Sequence, residues 1–253
     1  MELTSVQKQV FYEQGFVKVK SVVPPHRVNN ALRAINHSIG QGMNVADMTQ
    51  FRDRTFCPEL IQDPVITDLL NQTPAWALAE SLIGIGKIQP VSKSQIALRF
   101  PEQQDQSASP SPHLDGMYTP TNGVPEGTIK NFTMLVGVLL SDLPSTDSGN
   151  FTVWPRTHHL YEQYFREHGA RSLLQGMPDV SLSEPEQILG QAGDVVLCHY
   201  QLAHGVAANL SPFIRYAVFF RLTHVSKEAY KWESMTNIWL EWDGMRELVE
   251  QSF

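Results

Sequence analysis

The sequence predicts an α+β protein in which a mainly β core follows a helical N-terminal region. Helix-start and helix-stop residues are frequent in residues 1–87, whereas short β-like runs between turn residues fill residues 88–225. No helix of crossover length recurs between these runs, which favours antiparallel strands. Because 253 residues can form one β-rich unit, we expect a single domain over residues 1–253, with residues 226–253 as a C-terminal segment.

The N-terminal helices are predicted from their caps. Thr4 and Gln7 form a capping-box pair, and Pro24-Pro25 followed by a one-sided apolar stripe opens a second helix that Gly40 ends. Alternation of apolar and polar residues then indicates one short strand between these two helices. The predicted helices cover residues 4–15, 24–40, 63–74 and 75–83, and the strand covers residues 15–20.

The β core is predicted from runs rich in β-branched and aromatic residues, bounded by Pro, Gly, Asn, Asp and Ser. These runs predict strands at residues 94–100, 128–140, 150–154, 194–199, 202–208 and 214–223. The segment 161–175 is rich in Gln, Glu and Arg, and we expect it to be a partly helical excursion on the surface.

The turn at 209–212 suggests a hairpin between the last two strands. In that register His204 faces Ala217, and Val206 faces Arg215. Arg215 then lies on the same face as His204, roughly 7 Å along the strand. A register shift of one residue would place Arg215 on the opposite face.

Composition excludes several classes of function. The 19 Lys and Arg residues are outnumbered by 26 Asp and Glu residues, and this net charge of -7 without a basic block argues against nucleic-acid binding. Two cysteines cannot form a disulfide framework and fit a reducing compartment. No signal-peptide pattern and no membrane-length apolar run is apparent. We therefore expect a cytoplasmic protein whose partner is a small-molecule substrate; the sequence does not indicate an oligomeric state.

The first candidate for chemistry is His113-Leu114-Asp115. Residues two apart in an extended segment point to the same side, so His113 and Asp115 can project together. An imidazole and a carboxylate provide two of the three ligands of a facial metal triad. Taken alone, however, a histidine capped by an aspartate in a turn explains this pair more simply.

The second candidate combines His204 with Arg215. Arg215 lies inside the apolar strand 214–223, where a positive charge is costly unless an anion pairs with it. A ligand that chelates a metal at one end and carries a carboxylate at the other could connect the two residues, and 2-oxoglutarate is such a molecule.

With these residues in view, the chain resembles the phytanoyl-CoA dioxygenase family of Fe(II)/2-oxoglutarate-dependent oxygenases. The resemblance rests on His113-x-Asp115, on His204 and on Arg215 eleven residues later. Each motif alone is only moderately specific for the family. Their occurrence together, in the order and at the spacing of the family, is specific for it. Further similar segments are residues 3–17, 24–39, 148–158 and 193–215.

The resemblance implies a double-stranded β-helix, the jelly roll also found in cupins. It implies that His113, Asp115 and His204 bind Fe(II), and that Arg215 binds the distal carboxylate of 2-oxoglutarate. The implied reaction consumes O₂, decarboxylates 2-oxoglutarate to succinate and hydroxylates a small organic substrate. Relatives that halogenate lack the carboxylate ligand, so the presence of Asp115 favours hydroxylation.

One departure from the family pattern concerns the co-substrate. The family often has a hydroxyl residue two positions after the distal histidine, where this chain has Val206, so a second contact to 2-oxoglutarate must come from elsewhere. Arg99, on the strand before His113, is a candidate for lining the pocket. Lower-grade candidates for substrate binding, chosen for their position in the chain, are Met117, Tyr118 and Trp154.

Two other functions compete with the oxygenase. A jelly roll that binds Zn²⁺ or Mn²⁺ for hydrolysis or isomerisation would keep the His and Asp ligands but has no use for Arg215. A non-catalytic sandwich that binds a ligand would need neither the triad nor the arginine. Succinate formation that requires iron, O₂ and 2-oxoglutarate separates the oxygenase from both.

Overall fold

The computed structural model describes residues 1–103 and 109–251. Its α-helices are α1 (Ser5–Gln14), α2 (Pro25–Gly40), α3 (Met48–Asp53), α4 (Pro64–Asn71), α5 (Pro74–Ile83), α6 (Thr157–His168), α7 (Lys227–Tyr230), α8 (Glu233–Thr236) and α9 (Arg246–Glu250). Its strands are β1 (Phe16–Val19), β2 (Gln95–Arg99), β3 (Met134–Leu139), β4 (Phe151–Val153), β5 (Glu186–Gln187), β6 (Val195–His199), β7 (His204–Val206) and β8 (Arg215–Leu222). None of the helices in these two stretches is long and apolar enough to cross a membrane.

The strands form two antiparallel sheets. A five-stranded sheet has the order β1-β6-β3-β8-β2, and a three-stranded sheet has the order β5-β4-β7. Neighbouring strands in both sheets are antiparallel, and most neighbours are not consecutive in the chain. Such pairings across two sheets are those of a jelly roll, which confirms the predicted fold class.

The larger sheet is buried on both faces, and side-chain alternation along its strands divides the core. On β8, Val218 and Phe220 pack in the cluster that the N-terminal helices complete, whereas Ala217 and Phe219 pack in the cluster shared with the smaller sheet. Arg215 has the same parity as Ala217 and Phe219 and therefore points into the space between the sheets. The helices cover one face of the sheet and leave the other for the site.

The predicted N-terminal elements are confirmed. The Thr4–Gln7 capping box starts α1, and Gly15 ends it in a left-handed conformation with φ of 82°. Asp63 and Thr73 accept hydrogen bonds from the first turns of α4 and α5, each of which begins with proline. These boundaries are set by local capping, so the sequence alone could place them.

The predicted hairpin between the last two strands is wrong. β7 pairs with β4 in the smaller sheet, with Val153 opposite His204 and Phe151 opposite Val206. β8 lies in the larger sheet, where Arg215 faces Arg99 rather than Val206. The turn at 209–212 therefore crosses from one sheet to the other, which is a tertiary choice that a local turn motif does not encode.

Two further predictions need correction. The strand predicted at 128–140 is confined to β3, and the buried residues Ile129 and Phe132 belong to the preceding loop. The segment 161–175 is helical as expected, but it is not a surface excursion, because Tyr161 and Phe165 of α6 are fully buried. In the loop before β3 and in α6, the apolar side chains are buried by packing although they are not part of a strand.

Candidate metal and co-substrate site

Three predicted residues come together between the two sheets. One side-chain ligand atom from each of His113, Asp115 and His204 lies within 4.8 Å of the others. The Nε2 atoms of His113 and His204 lie 3.6 Å and 3.5 Å from Oδ1 of Asp115. Two ligands at right angles, each about 2.1 Å from an ion, are about 3 Å apart, so the cluster is close to the spacing of a metal site.

Backbone pairing holds the two histidines side by side. The amide of His113 donates to the carbonyl of His204 at 2.9 Å, and the amide of His204 donates back at 3.1 Å. Asp115 follows in a turn that Gly116 makes possible, because a Cβ there would lie 2.3 Å from the carbonyl oxygen of Lys130. The main chain thus holds together side chains that are distant in the sequence.

The orientation of His204 leaves one ring nitrogen free for a ligand. Its Nδ1 lies 3.0 Å from the carbonyl oxygen of Leu202, to which it can only donate. In the neutral ring the Nε2 lone pair then faces Asp115 and His113. A hydrogen bond of this kind fixes the tautomer and the ring orientation of metal-binding histidines.

The second oxygen of Asp115 is held by an arginine that the sequence did not indicate. Arg221 approaches Oδ2 with Nη2 at 2.6 Å and with Nε at 2.9 Å, and its Nη2 also donates to Gln95. Burial alone would raise the pKa of Asp115, but Arg221, followed by His204 and His113, holds that pKa well below its ordinary value. Asp115 is therefore a carboxylate with one oxygen, Oδ1, facing the histidines.

Arg215 is buried with one nitrogen left over. Its Nε donates to the carbonyl of Gly149 at 2.7 Å and its Nη1 to the carbonyl of Ala97 at 3.0 Å. Its Nη2 is buried without a partner among the described residues. Burial, and then the positive charge of Arg99, lower the pKa of Arg215 to about 9. Such a group is costly unless an anion completes it.

Arg99 lies directly opposite Arg215 on the neighbouring strand. Like charges in this position destabilise a sheet. The main chain at Gly149 comes close to both arginines, and only a glycine fits there. A Cβ at this position would lie 2.8 Å from Cβ of Arg99 and 3.2 Å from Cβ of Arg215, and the φ of Gly149 is +73°. The arrangement therefore presents two guanidinium groups side by side at the expense of stability.

These groups line one cavity of about 440 Å³, within the range of small-molecule sites. Met117 and Tyr118, which were predicted as candidates for substrate binding, also line it. Trp154 does not; it is buried in a cluster with Leu114 and Tyr161. Further lining residues are Arg52, Asp53, Gln95, Ala97, Leu135, Phe151, Met177, Val206, Phe219 and Arg221.

Sequence reasoning could have found Arg221 but had no means of finding Arg52. Arg221 lies six residues after Arg215 in the same strand, so its parity already placed it on the interior face. Arg52 belongs to α3, a six-residue helix that the sequence analysis did not predict. Its position at the cavity depends on where the tertiary structure places α3.

A jelly roll with a His-Asp-His cluster beside a buried arginine is the arrangement expected of non-haem iron, 2-oxoglutarate-dependent oxygenases. The model of the phytanoyl-CoA dioxygenase family matches residues 11–217, and the chain belongs to this family. None of the curated proteins matches the chain.

Several solved structures share this fold with the chain at low sequence identity. The epimerase SnoN in complex with Fe3+, alpha ketoglutarate and nogalamycin RO is 18% identical over 86% of this chain and 82% of its own, with a TM-score of 0.53. HygX from Streptomyces hygroscopicus with nickel and 2-oxoglutarate bound is 18% identical over 88% of each chain, with a TM-score of 0.56. EctD from S. alaskensis with 2-oxoglutarate and 5-hydroxyectoine is 16% identical over 88% of this chain and 77% of its own, with a TM-score of 0.58.

Proposed function

We propose that this protein is an Fe(II)- and 2-oxoglutarate-dependent dioxygenase that hydroxylates a small organic substrate. The overall reaction converts 2-oxoglutarate, O₂ and a C–H bond of the substrate to succinate, CO₂ and the corresponding alcohol. The observation that carries the proposal is the His-Asp-His cluster in the same cavity as Arg215, whose buried Nη2 has no partner among the described residues. Membership of the phytanoyl-CoA dioxygenase family supports it independently.

His113, Asp115 and His204 would hold the iron. Two imidazoles and one carboxylate are the donor set of the facial triad, and they leave adjacent positions for other ligands. Arg221 binds Oδ2 of Asp115 and would thereby leave Oδ1 as the oxygen available to the iron. Bound Fe(II) supplies the activation of O₂, and the protein supplies position and charge.

Arg215 would bind the distal carboxylate of 2-oxoglutarate. The two nitrogens already bonded to carbonyls fix its guanidinium, and the free Nη2 offers a charge-assisted hydrogen bond. Arg99 would provide the second contact that Val206 cannot make, because Arg99 lies opposite Arg215 in the sheet. A shared carboxylate would also relieve the repulsion between the two arginines.

Neither of the two competing functions explains why Arg215 and Arg99 lie in the cavity. A Zn²⁺ or Mn²⁺ hydrolase or isomerase needs the three metal ligands but no buried cation next to them. A non-catalytic sandwich needs neither. The solved structures of similar fold include an epimerase, so the outcome of substrate oxidation is the part of the proposal that a product analysis must establish.

The deciding experiment measures succinate from 2-oxoglutarate with purified protein. We expect succinate that requires Fe(II), O₂ and 2-oxoglutarate, and that rises when a substrate is added. Asp115→Ala and Arg215→Gln should abolish it or reduce it at least about tenfold, since each removes a charge-assisted contact. Asp179→Ala and Arg33→Gln change exposed residues outside the cavity and serve as matched controls.

Two results would overturn the proposal. One is full succinate formation by Asp115→Ala or Arg215→Gln. The other is the absence of 2-oxoglutarate binding to metal-loaded wild-type protein, measured by calorimetry with Ni(II) in place of iron. We further propose that residues 1–253 act as one oxygenase domain and that the reaction takes place in the cytoplasm on a small-molecule substrate.

A further inference from the structure

The cavity carries charge of the opposite sign to the chain as a whole. Its described lining includes four arginines, Arg52, Arg99, Arg215 and Arg221, but only two carboxylates, Asp53 and Asp115. The full sequence, in contrast, has 26 acidic and 19 basic residues. A cationic pocket in an acidic protein concentrates anions at that pocket.

The metal and the co-substrate do not account for this charge. A divalent metal ion and the doubly negative 2-oxoglutarate cancel each other, so four guanidinium groups and two carboxylates leave two positive charges. Arg221 is paired with Asp115, and Arg215 is the buried anchor of the co-substrate. Because the charge of 2-oxoglutarate is already set against the metal ion, the excess of two is the sum of Arg215, Arg99 and Arg52 less Asp53. Arg52 is the arginine of these three that has no part in binding 2-oxoglutarate.

Arg52 has the position of a substrate anchor. It is exposed on α3 and lines the cavity together with Arg99. After burial, the positive charge of Arg52 lowers the pKa of Arg99 most, while the carboxylates of Asp53 and Glu102 raise it, so Arg52 lies close enough to Arg99 for their charges to interact. Its neighbour Asp53 accepts a hydrogen bond from Thr121. An anion placed between Arg52 and Arg99 would convert their repulsion into attraction.

The rest of the cavity is apolar. Met117, Leu135, Phe151 and Phe219 contribute to its wall, with Met177 from a separate loop. Such a wall suits a hydrocarbon body, whereas the arginines suit one negatively charged end. A ligand that matches both would place its anionic group at the α3 side and its carbon skeleton toward the His-Asp-His cluster.

We propose that the substrate is a small organic anion, a carboxylate or a phosphate ester, whose charged group is bound by Arg52, beside the Arg99 side chain that contacts 2-oxoglutarate. The proposal rests on the proposed function, because the charge balance assumes a bound metal ion and 2-oxoglutarate. It names the substrate class and assigns a specificity role to Arg52, which does not touch the metal cluster or Arg215.

The test compares matched ligands that differ only in charge. Protein loaded with Ni(II) and 2-oxoglutarate is titrated by calorimetry with a panel of carboxylic acids of different carbon skeletons, with their primary amides and with the phosphate esters of the corresponding alcohols. We expect acids or phosphates to bind at least about tenfold more tightly than the amides, since a charge-assisted contact is lost in the amide. The tighter of the two anionic sets identifies the anion.

Variants assign the preference to Arg52. In the Arg52→Gln variant, the anions should lose most of their advantage in affinity over the amides. The affinity of this variant for 2-oxoglutarate should change less than about threefold. Arg33→Gln, an exposed helical arginine away from the cavity, should keep both. Amides that bind as tightly as the tighter of the two anionic sets, a panel in which no anion binds, or a preference that survives in Arg52→Gln would each overturn the inference. If 2-oxoglutarate itself fails to bind, the proposed function fails first, and the two failures are thus distinguishable.

Discussion

A buried ion pair behind the site offers the sharpest test of the structural reasoning. Lys227 and Glu241 are 3% and 2% exposed, and Nζ of Lys227 lies 2.9 Å from Oε2 of Glu241. Thr133 donates to the same oxygen, Ser234 accepts from the ammonium group, and Oε1 of Glu241 has no partner among the described residues. The ammonium group also lies over the ring of Tyr200, 5.5 Å from its centroid.

Lys227→Met should destabilise the protein strongly. It leaves the Glu241 carboxylate buried with one hydrogen bond, and breaking a buried pair in this way costs about 3–5 kcal/mol. For a chain of this size we expect the melting temperature to fall by roughly 6–20 °C. The double variant Lys227→Met with Glu241→Leu removes both charges, and we expect it to be more stable than Lys227→Met alone.

The assay is urea unfolding followed by tryptophan fluorescence, with the free energies arranged as a double-mutant cycle. The control is the exposed pair Arg246–Asp243, whose nitrogen and oxygen are 2.6 Å apart. Because exposed pairs contribute little, Arg246→Met should change stability by less than about 1 kcal/mol. A Lys227→Met variant within about 1 kcal/mol of wild type, or a double variant that loses the sum of both single losses, would refute the reasoning.

Three other predictions follow from the site and the core. Arg215→Gln should weaken 2-oxoglutarate binding by about 10–100-fold in calorimetry with Ni(II), since a charge-assisted bond is lost, while Arg33→Gln leaves it unchanged. Gly149→Ala should lower both stability and 2-oxoglutarate affinity, because φ is +73° and the new methyl group meets two arginine side chains; unchanged affinity would contradict the role given to this glycine. Burial lowers the pKa of His199 to about 3, so its neutral form stabilises the fold above about pH 6.5 and this contribution falls by about 1.4 kcal/mol per unit as the pH drops toward 3. In urea unfolding, the free energy of unfolding of His199→Gln should fall less steeply between pH 6 and pH 4 than that of the wild-type protein. Equal slopes against pH for the two proteins would show that His199 is charged in the fold.

The sequence determined the features that depend on near neighbours. The spacing of His113 and Asp115 puts both side chains on one side of an extended segment, and proline and glycine punctuation set the ends of α1, α2 and α5. These outcomes follow from backbone geometry over a few residues, so they need no knowledge of the remaining chain. The unusual position of Arg215 in an apolar strand likewise indicated an anionic partner from the sequence alone, because a buried charge is costly without one.

Tertiary structure alone decided which strands meet. The turn at 209–212 is typical of a hairpin, yet β7 joins the smaller sheet and β8 the larger one, so Arg215 faces Arg99 instead of Val206. Tertiary structure also decided that Arg221 pairs with Asp115, 106 positions away in the chain. It likewise decided that α3 lies at the cavity. Pairings between distant segments depend on the packing of both sheets and the helical layer, and no local pattern contains that information.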